Sequence, residues 1–189
     1  MGQRLNIEIK DDGKVLANAY YHWSGYTGSA LELLEVVVGK YRNAEAIGGV
    51  KLAVEILAST GAGFNNEEIE RVKKIPEFSG IELQPATNRN DGLLSITAEG
   101  IEETQRYAEE TAVFDIGTEE IDFDLYYEYD RDFVADWFGD EPLADLPDAE
   151  SDLLSRNLKY YELEKLVNLF NDYPYGFLKS DGTAIKWIV

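Results

Sequence analysis

From Ile121 to Tyr129 the chain reads Ile-Asp-Phe-Asp-Leu-Tyr-Tyr-Glu-Tyr. The two-residue period of a strand puts Ile121, Phe123, Leu125, Tyr127 and Tyr129 on one face and Asp122, Asp124, Tyr126 and Glu128 on the other. Such a strand has one side for a core and one for water. Before it, Ala112 to Ile116 forms a second strand, and Gly117-Thr118-Glu119-Glu120 supplies a four-residue hairpin loop between the two.

The remaining elements follow from local signals. Leu5, Ile7 and Ile9 alternate with polar neighbours, Asp12-Gly13 marks a turn, and Val15 to Tyr21 is rich in strand formers, so the chain opens with a hairpin. Ser29 with Glu32 has the capping-box pattern, and Leu33, Leu34, Val37, Val38 and Tyr41 recur at helical spacing, which predicts a helix over 29–42. Further helices are expected over 46–58, after an Asn65 cap and ending before Pro76, and over 99–110 with Ile101, Tyr107 and Ala108 buried. A short strand fits 92–97, an acidic connector 139–152, a helix 160–171, and a closing hairpin turned at Asp181-Gly182 and ending on Ile185, Trp187 and Val189. The expected class is α+β, an antiparallel sheet built from hairpins with helices packed on it. Residues 1–189 are read as one compact domain, within which 101–153 could form an acidic sub-lobe.

Charge decides which functions are open. The formal net charge is −20, and residues 101–153 hold 19 acidic against 2 basic side chains while the rest of the chain is nearly balanced. A surface this negative repels nucleic acid and anionic lipid, so neither direct nucleic-acid binding nor membrane binding is expected; it attracts basic proteins. The absence of cysteine removes disulfides, thiolate zinc sites and thiol catalysis. MGQRLNIEIKDD lacks the apolar core of a secretion signal, and the expected location is the cytosol.

Catalytic patterns are sparse, and no cofactor is expected. His22 and Ser24 could pair as base and nucleophile, but no third orienting group stands out, and a packed aromatic corner explains Tyr20-Tyr21-His22-Trp23 as well. Gly25 and Gly28 ahead of a helix carry no P-loop lysine. Clustered Asp122, Asp124, Asp130 and Asp132 could hold Mg²⁺ or Mn²⁺ in a small metal-dependent phosphoesterase or nucleotide-processing enzyme; only Arg106 and Arg131 are basic across this stretch, which disfavours a phosphate backbone. The competing reading is a protein interface, with Tyr126 and Trp137 as anchors and Asp122, Asp124, Glu128, Asp130, Asp132, Asp136, Asp140 and Glu141 complementing a basic partner.

MGQRLNIEI, LANAYYHWSGYTGSALELL, GLLSITAEGIEET and IDFDLYYEYD together resemble small acidic proteins encoded in phages and prophages, among which type II anti-CRISPR proteins are found. The resemblance is to the general run of the chain and carries over no functional residue. It implies a non-enzymatic inhibitor whose partner is a basic host protein, an RNA-guided CRISPR nuclease, met in the host bacterial cytosol. Such a nuclease holds nucleic acid in positively charged channels, which an acidic, aromatic-studded face could fill by DNA mimicry or span so as to lock domains.

Overall fold

The computed structural model describes residues 4–25, 27–80, 82–87, 92–128 and 151–172; at 27, 124–128, 151–156 and 169–172 the backbone alone is described. Among these residues seven strands form one sheet, numbered here in chain order: β1 Leu5–Asp11, β2 Lys14–Tyr21, β3 Gly63–Phe64, β4 Leu93–Ser95, β5 Glu110–Asp115, β6 Glu120–Glu128 and β7 Ser151–Lys159. Among the described residues the helices are α1 Thr27–Arg42, α2 Gly49–Ala58, α3 Asn66–Val72, α4 Ala98–Gln105 and α5 Leu163–Asp172, with short 3₁₀ turns at Pro76–Phe78 and Tyr160–Glu162.

The class is α+β. The sheet, in the order β3-β4-β2-β1-β5-β6-β7, is mixed rather than purely antiparallel. β1–β2, β2–β4, β5–β6 and β6–β7 are antiparallel, whereas β1–β5 and β3–β4 run parallel. Hairpin signals report only neighbours in sequence. The β1–β5 pairing joins Leu5 to Glu110 across most of the fold, and no local pattern announces it.

Both hairpin turns form where expected. Asp12 and Gly13 take φ of 48° and 81°, the left-handed pair that a two-residue turn requires. The Asp115 carboxylate then ties this turn to the next one, accepting the amides of Asp12 at 2.9 Å and Gly13 at 2.6 Å as well as Gly117 at 3.0 Å. Partial burial raises its pKa, but these amides outweigh that effect and hold it below the usual carboxylate value.

One face of the sheet makes the core. Leu5, Ile7, Ile9, Ala112, Phe114 and Ile121 are fully buried against α1 and α2, which contribute Leu34, Val37, Ile56 and Leu57. Tyr41 of α1 meets the Phe114 ring edge-on at 5.0 Å, and Tyr160 closes over both. Strand alternation sends Asn6, Glu8, Asn18 and Tyr20 to the opposite face, where α4 lies: Asn18 donates to Thr104 Oγ1 at 2.7 Å, and Gln105 donates to Glu8.

Helix starts show their chemistry. Asn65 Oδ1 accepts the Glu68 amide at 2.7 Å and caps α3; Thr97 Oγ1 accepts the Gly100 amide at 3.1 Å and caps α4. α1 begins two residues before the expected Ser29. α4 ends at Gln105 rather than at 110, because Glu109 and Glu110 both donate their amides to the Arg4 carbonyl at 3.0 Å and Glu110 opens β5. β7 occupies a stretch expected to be partly connector; its pairing with β6 runs from Glu120↔Lys159 to Glu128↔Ser151. The expected hairpin at Asp181-Gly182 lies outside the described residues.

Candidate protein interface

Over its described side chains, 120–123, β6 is divided as its alternation requires. Ile121 and Phe123 are buried on the helix-covered side, and Asp122 is exposed on the other. Asp122 stands between Val113 of β5 and Asn157 of β7, its register partners. Thr111 and Asn157 are exposed beside it and Val113 is half-buried; among the described residues α4 lies over β1, β2 and β4 and does not reach this part of β5, β6 and β7. Positions 124, 126 and 128 share the parity of Asp122 along the strand: Asp124 is opposite Thr111 and Ser155, Tyr126 opposite Leu153, and Glu128 opposite Ser151. Asp130, Asp132, Asp136, Trp137, Asp140 and Glu141 lie outside the described residues.

α4 extends the acidic surface. Glu99 and Glu102 are exposed, and Glu103 pairs bidentately with Arg71 at 2.9 Å through each oxygen. Glu99 at 3.1 Å and Glu68 at 3.4 Å complete the ring around that guanidinium. The hydrogen bonds that Arg71 donates to Glu103 do most to hold its guanidinium firmly protonated. This cluster is a fastener between α3 and α4, and its carboxylates are already engaged.

His22 has a partner, and it is not Ser24. Its Nδ1 lies 2.9 Å from the Tyr20 hydroxyl, while Ser24 lines a cleft of about 460 Å³ with Tyr21, Thr60, Gln84, Pro85 and Thr87. In that cleft the Tyr21 hydroxyl meets Thr60 Oγ1 at 2.6 Å, and burial pushes the phenol pKa up. Among the described residues that line it, none is charged. The aromatic corner is packed only in part: Tyr20 and Tyr21 are buried, whereas Trp23 is 54% exposed. Tyr107, expected to be buried, is 60% exposed because α4 has already ended before it. Among the described residues, no group of three or more His, Cys, Asp or Glu is gathered so as to hold a metal ion. Among them, too, no helix is long and apolar enough to cross a membrane.

A second carboxylate does structural work that no motif announces. Glu55 of α2 reaches back to the α1–α2 loop and accepts the amides of Glu45 and Ala46, each at 3.0 Å, and the Lys40 ammonium at 2.9 Å. The Lys40 hydrogen bond, followed by the two amides, pulls its pKa down to about 2. The loop so held presents Ile47 fully to solvent.

Compared with known proteins, the chain matches no family model, no curated protein and no solved structure.

Proposed function

We propose that this protein is a non-enzymatic inhibitor that binds a basic, nucleic-acid-binding host protein, an RNA-guided nuclease being the most concrete case, through the acidic aromatic-rich stretch centred on β6. The observation that carries this reading is the segregation of charge: 19 carboxylates against 2 guanidinium groups fall within 101–153. The described part of that stretch displays an exposed Asp122 on a sheet face that no described helix covers. A field concentrated on one face steers a cationic surface toward it, whereas the same charge spread evenly would serve only solubility. The basic channel of an RNA-guided nuclease offers the complementary surface, and an acidic face seated there would compete with the DNA backbone.

The test is a cleavage assay in which the purified chain is titrated into guide-loaded nucleases. The reading expects inhibition that saturates at stoichiometric amounts and weakens as salt rises. Inhibition by trace amounts that grows with incubation time would point to an enzyme instead. A panel of such nucleases that neither bind the chain at low salt nor lose activity would remove the reading.

A further inference from the structure

Four rings stand in a row where β2 ends and α4 has just ended. Trp23 and His22 meet with centroids 4.7 Å apart, His22 and Tyr20 at 6.2 Å, and Tyr20 and Tyr107 at 6.3 Å, every pair edge-on. The inner part of the row is fixed: Tyr20 is buried, and its hydroxyl meets His22 Nδ1 at 2.9 Å. Trp23 and Tyr107, at its two ends, leave more than half of their side chains in water. Large aromatic side chains are usually spent on the core. Here two are displayed on a rigid base, the arrangement that interface anchors take.

The row lies at the end of the sheet toward which β6 extends. Tyr21, Leu5 and Glu110 are in register across β2, β1 and β5, and Thr111 is opposite Asp124, so positions 126–128 of β6 run on past the start of β5. The rings and this extension therefore leave the sheet at the same end, separated by three strand spacings, about 14 Å. The β6 extension leads into 129–150, which carries 8 carboxylates and 1 guanidinium in sequence.

We infer that the row from Trp23 to Tyr107 is an arginine-accepting surface, on which a guanidinium of a basic protein stacks while neighbouring carboxylates complement its charge. This rests on the basic-partner reading and sharpens it from charge to a particular side chain. A guanidinium is planar and weakly hydrated, so it lies flat on an aromatic face and still directs its donors outward; an ammonium is compact and holds its water. The protein uses the same contact internally, where Arg42 sits 5.3 Å over the Tyr160 ring. Nucleobases also stack on exposed rings, but their phosphates meet a chain of net charge −20.

The experiment measures Kd by fluorescence anisotropy for the full chain with labelled arginine and lysine homopeptides of equal length, and with single-stranded DNA. At low salt the arginine peptide is expected to bind about three- to tenfold more tightly than the lysine peptide. Trp23→Ala with Tyr107→Ala should abolish that preference while leaving lysine binding unchanged, and Trp23→Phe should keep it. Circular dichroism melts establish that each variant is folded. Equal binding of the two peptides by the wild type overturns the inference and leaves the acidic-interface reading standing. Failure of both peptides to bind overturns both. DNA binding that depends on Trp23 and Tyr107 also overturns it, by assigning the rings to bases.

Discussion

Glu68 and Thr97 are joined twice: the fully buried carboxylate accepts the Thr97 amide at 2.8 Å through one oxygen and the Thr97 hydroxyl at 2.7 Å through the other. The Ile96 amide adds a third bond at 2.8 Å, so a side chain of α3 organises the turn that starts α4. Removing the carboxylate strands three part-buried donors and takes from Arg71 its 3.4 Å contact. Glu68→Ala is therefore expected to cost about 3 kcal/mol or more in chemical denaturation, with a lowered midpoint and little change in slope.

The same carboxylate explains why Gly100 carries no side chain. A Cβ there would meet both Glu68 oxygens and its carboxyl carbon. Gly100→Ala should destabilise by about 1–3 kcal/mol even though alanine is the better helix former. A variant as stable as wild type would show that Glu68 can swing clear without losing its bonds.

Glu110 gives a pH signature. Burial, reinforced by repulsion from Glu109, raises its pKa to about 7, and the hydrogen bond involving Arg4 opposes the rise only in part. Because the folded pKa exceeds the unfolded one, the folded state binds more protons between them. The stability from this group is full below about pH 4.3 and is lost as pH rises through 7. Melting temperatures across that window should fall less steeply in Glu110→Gln than in wild type.

Glu55 works with the opposite sign. Its depressed pKa means that its contribution is present above the ordinary carboxylate range and fades as pH falls toward 2. In Glu55→Gln, amide hydrogen exchange at Glu45 and Ala46 should accelerate at neutral pH. Unchanged protection there would show that the loop is held by other contacts.

Asp122→Lys separates folding from association. The side chain is exposed and outside the core, so stability should change by no more than about 0.5 kcal/mol. Combined with Asp124→Lys and Glu128→Lys, it should slow association with a basic partner about tenfold at low salt, an effect that shrinks as salt rises. Stopped-flow association rates check both.

What could be read from the sequence was what neighbours decide. Asp12-Gly13, the Asn65 cap and the alternation from Ile121 each state their structure within a few residues. Glu110 did not, because Arg4 and Leu5, far away in the chain, draw it out of a charged helical pattern into a parallel pairing. β7 was obscured for a related reason: Ser-Asp-Leu-Leu-Ser-Arg-Asn-Leu-Lys has no β-branched residue and two adjacent leucines, so its strand state comes from the β6 ladder. At the candidate interface, the outward Asp122 was legible from period two. Trp23 and Tyr107 were not, since composition favours burying such rings and only the ends of β2 and α4 leave them outside.

The parallel β1–β5 ladder also sets an order of events during synthesis. β1 can close one edge against β2 as soon as the first hairpin is made, but its other edge waits until roughly a hundred further residues have been added. During that interval a strand bearing Leu5, Ile7 and Ile9 offers unpaired backbone to any passing chain. The nascent protein thus has its greatest exposure to misassembly before most of its negative charge has been translated, when the self-repulsion that later keeps copies apart has not yet been built.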